Sequence, residues 1–205
     1  AVNNGAAGKL NIAGATVTAT NWAINNNGTA NTTTTPSVKV ISGTVTFTNG
    51  NTIVNSSTGL VYLTGGTVQQ TNSSGAAAIN NIGTGTITVE GGTVKHKKAY
   101  FSLVNNNTGT INIKSGTVIT EGSASAVVND TVDGGKINVS GGTVTGGTYG
   151  LYNRSNVSGI ITVTGGTIIG LGTSHSAVYG GYGTTTIGTD DSSVDTSSPI
   201  INGTN

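Results

Sequence analysis

The chain lacks cysteine and methionine altogether, carries two prolines in 205 residues, and is charged at only 7% of its positions. Absence of cysteine removes disulfides and thiol chemistry, so packing and hydrogen bonds alone must hold the fold. With Lys+Arg at 8 and Asp+Glu at 7, the net charge of +1 offers no basic surface on the scale of a nucleic-acid footprint. No apolar run is long enough to insert in a membrane as a spanning helix. A chain that starts at Ala1 and contains no methionine reads as a processed or excised segment. Scarce lysine among abundant Ser, Thr and Asn points outside the cell, to a secreted or cell-surface product. So few charges would also suit disorder, but the apolar residues recur too regularly for that.

What is present is a rhythm. A Gly-Thr-Val phrase, with an apolar pair upstream, is anchored on Thr16, Thr44, Thr67, Thr93, Thr117, Thr143 and Thr167, so it returns after 28, 23, 26, 24, 26 and 24 residues. Such spacing suits one turn of a solenoid rather than a domain. Each period holds three short segments rich in Val, Ile and Thr, the composition of strands. The first alternates, with inward pairs such as Ile87 and Val89 or Ile111 and Ile113. The second is centred on Val17, Val45, Val68, Val94, Val118, Val144 and Ile168, and the third reads Ala-Ile-Asn, Ile-Val-Asn or Leu-Val-Asn. Small corners such as Gly91 and Gly92, or Ser115 and Gly116, separate the first two segments where the chain turns sharply. The expected fold is all-β: a single-domain parallel β-helix over residues 1–205, of about eight three-strand rungs between about residues 8 and 203, with no helical cap. At about 4.8 Å per rung the stack would be on the order of 38 Å long.

A second column anchors the register. Asn25, Asn55, Asn80, Asn105, Asn129 and Asn153 close the third segment, Gly180 replaces the next member, and Asn202 returns at the end. Stacked amides hydrogen-bond from layer to layer, so these residues are expected to form a structural ladder. Charges at equal positions in successive rungs are complementary: Glu90 with Lys114, Lys97 with Glu121, and Asp130 with Arg154. Each such pair contributes about 0.2 to 1 kcal/mol, enough to tune stacking and too little to hold a fold.

Those assignments leave few groups for catalysis, and the reading is that the chain is not an enzyme. Asp190, Asp191 and Asp195 cluster in the last rung as the only weak metal candidates, without the ligand spacing of a calcium loop, and no cofactor is implied. His96 and His175 lack a second ligand at metal spacing, and Lys95, His96, Lys97 and Lys98 form a single small basic run. The third segment carries more interest, because two adjacent apolar columns cannot both face inward. If the asparagines point in, Ile24, Val54, Ile79, Val104 and Val128 line an outer face, joined by Tyr149, Tyr152, Tyr179 and Tyr182 near the C-terminal rungs, a candidate interaction surface. The alternative is that the asparagines mark a corner and the Ile/Val column is core, or that a connection between rungs covers the stripe. Outward threonines, such as Thr16 with Thr18 and Thr44 with Thr46, also raise ice binding, although Gln69, Lys95, Ile119 and Ile169 interrupt the second column.

The phrases GTITVEGGTV, GKINVSGGTV and TIGTDDSSVDTSSPIING resemble the repeat regions of large bacterial surface proteins and adhesin passengers, over nearly the whole chain. That resemblance implies a right-handed parallel β-helix serving as an extracellular structural or adhesive module, a stalk segment or a head-to-tail self-assembling fibre or surface-layer subunit. Its partners would be other copies of itself or flanking repeats at the exposed solenoid ends, with surface glycans as a further class. The alternative is a carbohydrate-active β-helix that binds or degrades polysaccharide, although the clustered acids and arginines of pectate-lyase-like enzymes have no match here.

Overall fold

A computed structural model describes residues 2–19, 23–72, 75–131, 133–154, 156–173, 175–188 and 200–203. Every strand pairing between named strands is parallel, and no helix occurs among the described residues. The chain winds as a β-solenoid of about seven turns. Short strands form an 8-stranded sheet, from Val2–Asn4 and Ile24–Asn26 through Ile53–Asn55, Ile79–Asn81, Leu103–Asn105 and Val127–Asn129 to Leu151–Asn153 and Val178–Tyr179. The first and second strands of every turn belong to the other sheet. They are separate early in the chain, as Leu10–Ile12 and Thr16–Ala19, but run together later as the 11-residue strands Thr86–His96, Thr110–Thr120, Lys136–Gly146 and Ile160–Gly170. The glycine corner survives there as an irregularity of register around Glu90 and Ser140.

The anchoring threonines stand in one file, Thr16 beside Thr44, Thr67, Thr93, Thr117, Thr143 and Thr167. The inward positions of all three strands meet in one core: Ile87, Val89, Val94, Leu103, Ile111, Ile113 and Val118 are all 0% exposed. Period-two alternation over a stack of identical layers makes each such column continuous, so every apolar side chain has a like neighbour above and below.

Three expectations need correction. Stacking begins at Val2–Asn4, which pairs with Ile24–Asn26, and not near residue 8. The turns number about seven, not eight, because the tail does not complete a further one among the described residues. Ile200–Gly203 lies beside Thr167–Gly170 in the second-strand row, so Asn202 neighbours Ile169 and stands outside the asparagine column.

Close stacking depends on glycine at the corner. Gly92 has φ +71, a left-handed conformation, and a Cβ there would overlap the carbonyl oxygen of Gly66 in the turn below. Gly134 has a similar φ of +86, but the nearest atom to an added Cβ is Thr108 Cγ2 at 3.6 Å. Both substitutions incur the backbone strain of about 1–2 kcal/mol, and only Gly92→Ala adds a clash that the stack cannot relieve without opening. Urea denaturation should therefore find Gly92→Ala less stable than Gly134→Ala by about 1 kcal/mol or more; equal losses would show that layer spacing is not limited at the corner.

Candidate functional site

The asparagine ladder is present and buried, in a register one residue different from that expected in two turns. Its members are Asn4, Asn26, Asn55, Asn81, Asn105, Asn129 and Asn153, of which all but Asn4 are 0% exposed. Each side-chain amide donates to the Oδ1 of the next: 2.7 Å from Asn26 to Asn55, 2.9 Å from Asn55 to Asn81, 3.0 Å from Asn81 to Asn105, 3.2 Å from Asn105 to Asn129 and 2.7 Å from Asn129 to Asn153. The second N–H goes to a glycine carbonyl a few residues on, as from Asn81 to Gly85 at 2.9 Å and from Asn105 to Gly109 at 2.7 Å, except at Asn26, which donates to the Ser37 hydroxyl at 2.8 Å. At the end of the file Asn153 donates to the carbonyl of Gly180. No buried side-chain nitrogen or oxygen among the described residues lacks a partner.

Asn25 and Asn80 stand one position short of the file, opposite Val54 and Val104 on the outer side of the strand. In each case the chain reads Ile-Asn-Asn and the second asparagine turns inward. They bridge turns on the outside: Asn25 accepts from Ser56 and Asn80 from Asn106. A slip of one residue exchanges the two faces of a strand, so Ile24 and Ile79 belong to the core at 0% exposure and not to an outer stripe. Val54, Val104 and Val128 do occupy the outer column, but the chain covers them to 2%, 1% and 0% exposure. Tyr100 and Phe101, whose ring centroids lie 4.5 Å apart, belong to the connection between Thr86–His96 and Leu103–Asn105. Burial raises the pKa of the Tyr100 phenol, with Asp130 contributing next.

Ion pairs tie the outer faces of successive turns. Lys114 Nζ lies 2.7 Å from Glu90, and Arg154 pairs with the buried Asp130. Glu121 pairs with Lys95 and not with Lys97: Lys95 is held on the outer face of strand Thr86–His96, diagonally placed for the carboxylate, whereas Lys97 has passed beyond the strand end. The Glu90 pair belongs to a longer chain of contacts, because Tyr62 donates its hydroxyl to Glu90 and Lys39 sits 5.5 Å above the Tyr62 ring. His96 is wholly buried between Lys98 and Ala76, its Nε2 3.0 Å from the Ala76 carbonyl, so the basic run is split between core and surface. Asp133 accepts from the Ser158 backbone N–H at 2.7 Å. The metal candidates Asp190, Asp191 and Asp195 lie outside the described residues, and among those described no cluster of His, Asp or Glu can hold a metal ion. No helix of the described residues is long and apolar enough to cross a membrane.

The tyrosines do gather. Tyr149, Tyr152 and Tyr179 pack together with ring centroids 5.1 to 5.5 Å apart, and His175 meets the Tyr149 ring edge-on at 5.0 Å. Tyr152 and Tyr179 are register partners in the outer column, one turn apart. Burial raises the Tyr149 phenol, helped by its two tyrosine neighbours. Tyr182 is 79% exposed and has no ring contact with the group. Beside Tyr152 opens a cleft of about 460 Å³ lined by Asp130, Thr131, Arg154, Asn156 and Val157. Sequence reading missed Asn4, Lys95, Tyr62 and the glycines that receive the ladder amides, although a glycine one residue before the first strand, as in Thr-Gly-Thr at 84–86 and 108–110, was the available signal.

No family model, curated protein or solved structure matches this chain. What the site can do therefore rests on its own geometry.

Replacing Asn105 by alanine strands one N–H of the Asn81 amide and the Oδ1 of Asn129 inside the stack, while the Gly109 carbonyl keeps the Lys136 N–H. At about 1–3 kcal/mol for each orphaned group, Asn105→Ala should cost about 2 kcal/mol or more in chemical denaturation, and Asn80→Ala less than about 1 kcal/mol. Acid behaviour provides a second check. Lys114 and then Tyr62 hold the Glu90 carboxyl below its ordinary value of 4.5. A carboxyl lowered in the folded state contributes stability above that ordinary value and loses it as pH falls through the lowered one. Between about pH 5 and 3, Glu90→Gln should flatten the decline of melting temperature seen in the unmodified protein.

Proposed function

We propose that this chain is a structural, interaction-bearing module of the bacterial exterior, a rigid β-solenoid that serves as a stalk segment or stacks head to tail into a fibre. The observation that carries the reading is the unbroken buried amide file from Asn4 to Asn153, which joins every turn to the next and makes a rod out of units that have no core of their own. Its chemistry favours support over catalysis. All four described carboxylates are committed: Glu90, Glu121 and Asp130 to ion pairs and Asp133 to a backbone N–H. The composition and the repeat phrases that resemble bacterial surface proteins supply the location. Val2–Asn4 and Val178–Tyr179 are the outermost strands of the short-strand sheet among the described residues, and head-to-tail growth would pair there.

Negative-stain microscopy over a concentration series tests the reading. Rods that lengthen from about 34 Å along one axis are expected, and uniform short particles at every concentration would rule out head-to-tail growth. Release of reducing ends or unsaturated uronate products from a polysaccharide panel would overturn the non-catalytic assignment.

A further inference from the structure

We infer that the tyrosine group and the adjoining Asp130–Arg154 cleft form a binding site for a neutral oligosaccharide. In the outer column of the short-strand sheet Val54, Val104 and Val128 are buried, and past them the column opens again at the C-terminal turns, where Tyr179 is 36% exposed. There the solenoid sets Tyr152 and Tyr179 on successive turns, with centroids 5.5 Å apart, a separation comparable to one sugar residue along an extended chain. Tyr149 packs against both with centroids 5.1 Å away, which limits their rotation, and is itself met edge-on by His175. Rings locked in this way present apolar faces with little rotamer freedom left to lose, and each keeps a hydroxyl at its rim.

The cleft supplies the polar half. Tyr152 belongs to both the ring group and the cleft wall, so the two surfaces are continuous. Asp130 and Val157 are buried in the wall at 7% and 4% exposure, while Arg154, Thr131 and Asn156 stand exposed around it. Arg154 donates through Nη1 to Asp130. The guanidinium retains other N–H donors and the carboxylate other acceptor sites, so the pair presents fixed donors and acceptors side by side with no net charge. That combination selects the ligand class. An anionic ligand would have to compete with Asp130 for the guanidinium, and a cationic one with Arg154 for the carboxylate. A purely apolar ligand would cover charged groups without replacing their hydrogen bonds with water. A pyranose matches both halves, because its C–H face stacks on a ring and its vicinal hydroxyls donate and accept in alternation.

Binding of β-1,4-linked glucose, mannose and N-acetylglucosamine hexasaccharides, with oligogalacturonate as the charged comparison, should be measured by calorimetry on the monomeric fraction, so that the result is independent of head-to-tail growth. Saturable binding of at least one neutral sugar is expected, in preference to the galacturonate. Tyr152→Ala and Tyr179→Ala should each weaken it about tenfold or more, and Arg154→Met likewise, whereas Lys39→Ala should leave it unchanged. Tyr152→Phe keeps the stacking face and should retain most of the affinity, which separates loss of a contact from loss of fold. No saturable binding of any neutral sugar up to its solubility limit, preference for the galacturonate, or undiminished binding in folded Tyr152→Ala and Tyr179→Ala proteins would overturn the site.

Discussion

The side-chain amide of a buried asparagine has two donors and an acceptor to place, and in this solenoid all three are placed along the stacking axis or beside it. The Oδ1 receives the amide below, one N–H reaches the amide above, and the other closes on a glycine carbonyl of the same turn. Leaving any of them unmet inside the stack costs more than the bond contributes when made. Turn spacing, strand register and the position of the first-strand glycine are therefore fixed together. A slip by one residue would push the amides outward and bring the outer column in.

The surrounding columns follow from that spacing. Glycines 85, 109, 135 and 159 lie so close to the amide file that a Cβ on any of them would run into an asparagine side chain. At the opposite corner, where the second strand ends, the inward positions hold Phe47, Gln70, His96 and Thr120, all 0% or 1% exposed. The polar ones bind carbonyls of the connections that cross beside them, as Gln70 does to Thr48 and Thr120 to Tyr100. Connections at this corner run from four residues, between Gly146 and Leu151, to eight, between Gln70 and Ile79, whereas the longest repeat, 28 residues, comes from the eleven-residue connection between Asn26 and Val38.

Much of this architecture was legible because identical positions in successive turns are spatial neighbours. The Thr file, the alternating Ile and Val pairs and the Glu90–Lys114 contact follow from counting alone. The ambiguity lay where two asparagines are adjacent. Asn25 and Asn26, or Asn80 and Asn81, fit the pattern equally well, and only the requirement that Ile24 and Ile79 enter the core selects the second. Likewise Glu121 had two lysines within reach, and the strand end between Lys95 and Lys97 decides which is held in place. Burial of Val54, Val104 and Val128 was one of the readings the sequence left open, because the period does not encode how the connections fold back.

Scaffold and surface are thus chemically separate: the amide file and apolar columns set the layers, and the outer columns are free to carry different side chains from turn to turn. The file also has a modular logic. Asn81 donates to Asn105 as Asn105 does to Asn129, so excising the 24-residue unit 82–105 would bring Asn81 against Asn129, the same two chemical partners across the cut. Duplicating that unit would insert one more identical link. Length in such a molecule can change by recombination in whole turns while the core chemistry stays the same, so the span of the stack is a heritable quantity adjustable in steps of one layer.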